Sequence, residues 1–254
     1  MPTAGASAKK APSASNARIR AVEIKVTIRP DQELRALRAF KVDEDTAEVR
    51  VIYFYDTPKL TLFDEGVVLR SRLVKGDADD TTVKIRPVVP AKVPPSWSRI
   101  AGFKIEADRT GRRVVRSASL TEIRKRSEID AAADGKRPIR ELFSEAQLGL
   151  IADVSKCHID FDLLKPLGPI RVLCWQSAHK GFPHKMTIEE WRLPDGEDLV
   201  EVSIKVRPDQ ETEAKKVFDQ HLRELGLDPN GGQETKTRTA LSYFAKALTA
   251  RKKK

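Results

Sequence analysis

The stretch Ala21-Val22-Glu23-Ile24-Lys25-Val26-Thr27-Ile28 decides how the chain is read. Val22, Ile24, Val26 and Ile28 are apolar, and Glu23, Lys25 and Thr27 stand between them. A period of two predicts a strand with one apolar and one polar face. Pro30 ends the strand, and Asp31 opens a predicted helix over 31–40 with Leu34, Leu37 and Phe40 as its apolar stripe.

Outward from that strand the alternation recurs. Further strands are predicted over 49–55, over 67–73 after the turn Asp64-Glu65-Gly66, and over 81–87 after Gly76-Asp77. Residues 87–100, with Pro87, Pro90, Pro94 and Pro95, read as an irregular connection, and 102–108 alternates again. The segment 118–155 reads as mainly helical. Strands follow over 159–163 and 170–176, then a hairpin pairs 185–192 with 199–207 around Pro194-Asp195-Gly196. Two helices close the chain: 209–226, with Ala214, Val217, Phe218, Leu222 and Leu225 on one stripe, and 235–250, with Leu241, Phe244, Ala245 and Leu248. An echo links the two ends, since Val22-Glu23-Ile24 and Arg29-Pro30-Asp31-Gln32-Glu33 recur as Val200-Glu201-Val202 and Arg207-Pro208-Asp209-Gln210-Glu211. It makes Glu23 and Glu201 equivalent.

Composition bounds the function. With 254 residues, 40% hydrophobic and 33% charged, the chain is in the globular range. No run approaches about 18 apolar residues, and no apolar segment follows Lys9 and Lys10, so a non-membrane, cytoplasmic protein is expected. Cys157 and Cys174 are expected to be reduced thiols. Eight of the ten net positive charges lie in residues 1–20 and 251–254, which leaves a nearly balanced domain over 19–250. The ends, 1–18 and 251–254, read as solubilising basic tails, the first of them disordered. No GxGxxG or GxxxxGK[ST] loop is present, the His and Cys spacings fit no zinc site, and aromatic residues at 6% provide no stacking platform for nucleic acid.

Splitting each strand into faces gathers the charges. Glu23 and Lys25, Arg70 and Arg72, Lys84 and Arg86, then Lys104, Glu106 and Asp108, then Glu201 and Lys205 all lie opposite apolar faces. Charged faces turned to solvent are one reading. The other is a sheet closed on itself, whose lumen then presents converging Lys and Arg to a chain of phosphates. Carboxylates among those cations have two explanations: Mg²⁺ or Mn²⁺ bridging them to phosphate, or internal ion pairs with the same Lys and Arg.

In order along the chain, these residues resemble the CYTH superfamily of triphosphate tunnel metalloenzymes, which includes class IV adenylyl cyclases, thiamine triphosphatases and inorganic triphosphatases. Ala21-Val22-Glu23-Ile24-Lys25 resembles its ExExK strand, Tyr53-Phe54-Tyr55-Asp56-Thr57-Pro58 its YYDT strand, and Leu69-Arg70-Ser71-Arg72 its LRxR strand. Thr82-Val83-Lys84, Glu106 with Asp108, Leu199 to Lys205, and Lys236-Thr237-Arg238 are similar to its TLK, ExE, late ElE and SKxR motifs. Residues 110–180 carry no motif of that family. The resemblance implies an α+β fold: a closed antiparallel eight-stranded β-barrel, or tunnel, with helices around it. It implies that Lys25, Arg70, Arg72 and Lys84, with Arg86, Lys104 and Lys205 on the same faces, hold a small-molecule triphosphate or inorganic polyphosphate. Glu23, Glu106, Asp108 and Glu201 would hold Mg²⁺ or Mn²⁺, and the implied activity is metal-dependent triphosphate hydrolysis. Two positions depart from the pattern: Ala21 and Ser203 stand where that family has carboxylates. Metal affinity falls with each lost carboxylate, so triphosphate binding without turnover is the alternative, with adenylyl cyclisation a third reading.

Overall fold

The computed structural model describes residues 19–155, 157–179, 181–231 and 234–251. The tails expected at 1–18 and 251–254 lie outside them, apart from the backbone of Arg251. Nine strands form the sheet: β1 (Ala21–Thr27), β2 (Glu48–Asp56), β3 (Val67–Val74), β4 (Asp80–Ile85), β5 (Phe103–Thr110), β6 (Arg113–Ile123), β7 (Lys165–Ser177), β8 (Met186–Arg192) and β9 (Leu199–Val206). Among them lie α1 (Glu33–Ala39), α2 (Thr61–Asp64), α3 (Arg126–Ala133), α4 (Glu145–Val154), α5 (Glu211–Glu224) and α6 (Lys236–Arg251). The strands close a barrel in the order β1, β5, β6, β4, β3, β2, β7, β8, β9 and back to β1. Every neighbouring pair is antiparallel except β1 with β5.

The barrel is the expected one with differences of detail. It has nine strands rather than eight and one parallel seam. The predicted strand 159–163 contains a 3-10 turn, Phe161–Leu163, and the segment read as helical from 118 begins instead with β6. That strand was hidden because both its faces are buried: Ser117, Ala118, Ser119 and Leu120 are all enclosed, so polarity does not alternate strongly. The helix expected over 31–40 starts as a 3-10 turn, Pro30–Gln32, and its buried residues are Ala36 and Phe40 while Leu34 is 71% exposed.

The outer faces of the strands are apolar and covered, as their period of two requires. Val22, Ile24 and Val26 of β1 pack with Val202 and Ile204 of β9 against Ala36 of α1 and Phe218 and Leu222 of α5. Leu69, Val83, Ile105 and Leu120 pack against Ile129 of α3 and Leu150 of α4. The sequence echo is a structural repeat. Arg29-Pro30-Asp31 and Arg207-Pro208-Asp209 adopt the same turn, with Arg29 Nε donating to Asp31 at 3.0 Å and Arg207 Nε to Asp209 at 3.1 Å. Because β1 and β9 pair antiparallel with Lys25 opposite Ser203, the two units are related by a local pseudo-twofold axis at that pair.

The inner wall has two sectors. Ile52, Phe54, Ile170, Val172 and Trp191 face inward from β2, β7 and β8, and α6 lies against them through Ala240, Leu241 and Phe244. One side of the barrel interior is thereby filled by the C-terminal helix. The other side, from β9 through β1 to β3, keeps the charged residues around open space. Among the described residues no helix is long and apolar enough to cross a membrane.

Candidate functional site

The charges of the inner wall form connected ion pairs. Lys25 Nζ contacts Glu23 at 2.9 Å and Asp108 at 3.2 Å, and Lys84 Nζ reaches the other oxygen of Asp108 at 2.9 Å. Ser203 Oγ donates to Glu23 at 3.4 Å. On the far side of β9, Lys236 at the start of α6 pairs with Glu189 and, at 2.8 Å, with Glu201, and Arg50 reaches Glu189 at 3.2 Å. Lys236 also lies 4.8 Å from the Trp191 ring centre. Arg72 Nε donates to Asp80 at 2.9 Å.

These contacts sort the cations into satisfied and unsatisfied ones. Burial lowers the Lys25 ammonium, but Glu23, Glu201 and Asp108 outweigh it and hold the group charged well above the ordinary lysine range. Burial likewise opposes charge on Lys236, and Glu189 with Glu201 restores it. The carboxyl groups answer in kind: burial would raise Asp108, yet Lys25 and Lys84 pull it far down, and Glu189 falls to about 2 beside Lys236 and Arg50. For three cations the carboxylates nearby do not outweigh burial. Burial, then Arg72, depresses Arg70 to about 10, and its Nε has no partner. Burial and Lys25 lower Lys84 despite Asp108. Burial and the charges of Arg113 and Arg238 lower Arg86, which makes no ion pair among the described residues.

Arg86 stands at the mouth of the tunnel beside α6. A cavity of about 590 Å³ opens there, lined among others by Lys25, Asp108 and Glu201 and by Arg86, Arg113, Lys236 and Arg238. Phe63 is the aromatic floor, with the Arg86 and Arg238 guanidinium carbons 5.4 and 5.1 Å from its ring centre. Buried Asp56 fixes that floor, since its carboxylate accepts the backbone N–H groups of Thr57, Leu62 and Phe63 at 2.7, 3.0 and 2.9 Å. The predicted residues are therefore not all in one place. Lys25, Arg86, Asp108 and Glu201 line the cavity, Lys84 joins it through Asp108, and Arg70 and Arg72 lie on β3 along the same inner face. Lys104, Glu106 and Lys205 stand toward the opposite rim, where Lys205 pairs with Glu106 at 2.6 Å and Lys104 is exposed.

Arg50, Phe63, Asp80, Arg113 and Glu189 belong to this lattice without having been predicted. Glu48 and Arg50 do alternate on β2, but the same face continues into Ile52 and Phe54, which disguises its inward direction. Lys236 was visible in its motif. Only the packing of α6 inside the barrel brings it to Glu189 and Glu201.

The donor set does not suit Mg²⁺ or Mn²⁺ as arranged. Among the described residues no three carboxylate, imidazole or thiolate side chains are gathered around a common point free to hold a metal ion. Glu23, Glu106, Asp108 and Glu201 each contact a lysine ammonium instead. Hard divalent cations require several free oxygen ligands at once.

No protein-family model matches the chain. No curated protein matches it in sequence. Among solved structures it is similar to the adenylyl cyclase candidate HpAC1 from Hippeastrum, whose structure is presented as revealing a dominant triphosphatase activity. The TM-score is 0.59 at 14% identity, over 87% of this chain and 94% of that one. It is also similar to an adenylate cyclase candidate from Bacillus halodurans, with TM-score 0.60 at 14% identity, over 87% of this chain and 97% of that one. At this identity the likeness is one of fold, and the fold is the tunnel that the CYTH resemblance implies.

Proposed function

We propose that this chain binds the phosphate chain of a small-molecule triphosphate, inorganic or organic, in the charged sector of its barrel. The observation that carries the reading is the cluster Arg70, Lys84 and Arg86, in which Arg86 makes no ion pair among the described residues, the buried Arg70 Nε has no hydrogen-bond partner, and Lys84 has Asp108 alone, while burial opposes the charge of all three. A polyanion entering from the cavity offsets that penalty, because phosphate oxygens accept from the guanidinium N–H groups of Arg86 and Arg70 that lack partners and add a second counter-charge to Lys84. Specificity for a phosphate chain over a single anion follows from the spread of the three groups along β3, β4 and the residue that follows β4.

A second reading, hydrolysis of the bound triphosphate, is favoured by the triphosphatase activity named for the Hippeastrum protein. Mg²⁺ or Mn²⁺ at Glu23, Glu106, Asp108 and Glu201 belongs to that reading, and it requires those carboxylates to give up their ammonium partners. Calorimetry with tripolyphosphate, ATP and thiamine triphosphate, run beside a phosphate-release assay with Mg²⁺, Mn²⁺ or EDTA, tests both. Binding of at least one ligand is expected, weakened roughly tenfold or more in Arg86→Ala, since losing a charge-assisted contact costs about 1.5–3 kcal/mol. Arg72→Ala is expected to cost less, because Asp80 already neutralises Arg72. No binding of any of the three overturns the proposal; cyclic AMP from ATP would replace hydrolysis by cyclisation.

A further inference from the structure

The inner face of β1 reads Ala21, Glu23, Lys25, Thr27, and that of β9 reads Glu201, Ser203, Lys205. The pseudo-twofold axis passes between Lys25 and Ser203, so Glu23 and Glu201 are its symmetric pair, and each has a lysine partner, Lys25 on Glu23 and Lys236 on Glu201. Lys25 contacts Glu23 at 2.9 Å and Asp108 at 3.2 Å, and Glu201 acts on it through space. Lys236 of α6 pairs with Glu201 at 2.8 Å and is held also by Glu189. Each ammonium group is tethered to the fold and bridges two carboxylates, Lys25 joining Glu23 to Asp108 and Lys236 joining Glu189 to Glu201.

A divalent cation entering this set would compete with two covalently attached cations; the neighbouring carboxylates Asp108, opposite Glu23, and Glu189, opposite Glu201, are themselves paired with Lys25 and Lys84 and with Arg50 and Lys236, and along β1 and β9 the next inner-face positions, Ala21 and Ser203, add no carboxylate. Ala21 has no donor, and the Ser203 hydroxyl already donates to Glu23. We infer that triphosphate capture in this tunnel needs no divalent cation: the Lys25 and Lys236 ammonium groups are the resident cations of the carboxylate set, and they turn toward phosphate when the ligand enters. The inference rests on the triphosphate reading above. It gives Lys25 two partners in succession, carboxylate in the free protein and phosphate in the complex.

The full chain, freed of metal with EDTA, is titrated with tripolyphosphate in a calorimeter, and the metal-free chain is separately titrated with Mn²⁺ alone while the free-ion paramagnetic resonance signal is followed. The expected result is tripolyphosphate binding in EDTA at least as tight as in Mn²⁺, with no Mn²⁺ uptake by the unaltered protein. Lys25→Met is expected to take up Mn²⁺, because Glu23 and Asp108 lose their ammonium, and to bind tripolyphosphate roughly tenfold more weakly in EDTA. Should that variant not fold, the two titrations of the unaltered chain still decide. Tripolyphosphate binding only when Mn²⁺ is present overturns the inference, as does saturable Mn²⁺ uptake that Glu23→Gln abolishes. Absence of tripolyphosphate binding under both conditions is a different failure, that of the triphosphate reading itself.

Discussion

Lys84 shows how much a single residue's surroundings decide. It lies on a strand face that reads as charged from period alone, yet its ammonium is held below the ordinary lysine value by burial and by Lys25, while Lys25 itself is raised. A bound phosphate raises Lys84, so the free protein has the lower pKa of the two states. Triphosphate affinity is therefore full below the free-state value and falls as pH rises through it, on the alkaline side but below about 10.5. Calorimetry with tripolyphosphate between about pH 7 and about pH 10 checks this against Lys84→Arg, whose guanidinium stays charged throughout. The variant is expected to show the flatter profile, and ionisation of the ligand is common to both runs. Glu23, Lys25, Arg70, Arg72, Arg86, Asp108 and Glu201 were legible on the inner faces because alternation is local. Which of them remain unpaired was not, since Asp80, Glu189 and Lys236 reach them only across strands.

At the scale of elements, the turn before β3 positions the end of β4. Gly66 has φ +80°, and its carbonyl accepts the Arg86 N–H at 2.8 Å. A Cβ there would lie 2.1 Å from the Arg86 carbonyl oxygen, so Gly66→Ala must push Arg86 away as well as strain its own backbone. Thermal unfolding is expected to report a loss of about 1–3 kcal/mol, accompanied by weaker tripolyphosphate binding. Gly76→Ala is the comparison: φ is +83° but nothing lies within 4 Å of the added Cβ, so the backbone cost of about 1–2 kcal/mol appears without the loss of affinity. The turn at Gly66 was readable from Asp64-Glu65-Gly66. Strand β6 was not, because Ser117, Ser119 and Thr121 give its inner face small hydroxyls where the other strands carry charges.

For the whole molecule, the placement of α6 matters most. Of its stripe of Leu241, Phe244, Ala245 and Leu248, expected to be buried, the first three are buried and Leu248 is half-buried. The partner surface is the inside of the barrel rather than its outside. Leu241 is 2% exposed, so Leu241→Ala is expected to cost about 2–5 kcal/mol in denaturant unfolding. The same change is expected to weaken triphosphate binding, because α6 carries Lys236 and Arg238 into the cavity. If Leu241→Ala leaves both stability and binding unchanged, the helix does not hold that side of the barrel.

What the sequence by itself determined is set by local rules. Period two marks strands and divides their faces, turn residues separate them, and the recurrence of Arg-Pro-Asp-Gln-Glu after matched strands marks two equivalent units, which the structure realises about the Lys25–Ser203 pair. The tertiary structure alone decided which side of the sheet became the lumen's charged sector, that α6 fills the other sector, and which carboxylate each cation meets. Those outcomes depend on barrel closure, which joins β9 to β1 and β1 to β5 across long stretches of chain. Coulomb interactions are governed by distance in space and by burial, and neither is a property of spacing along the chain.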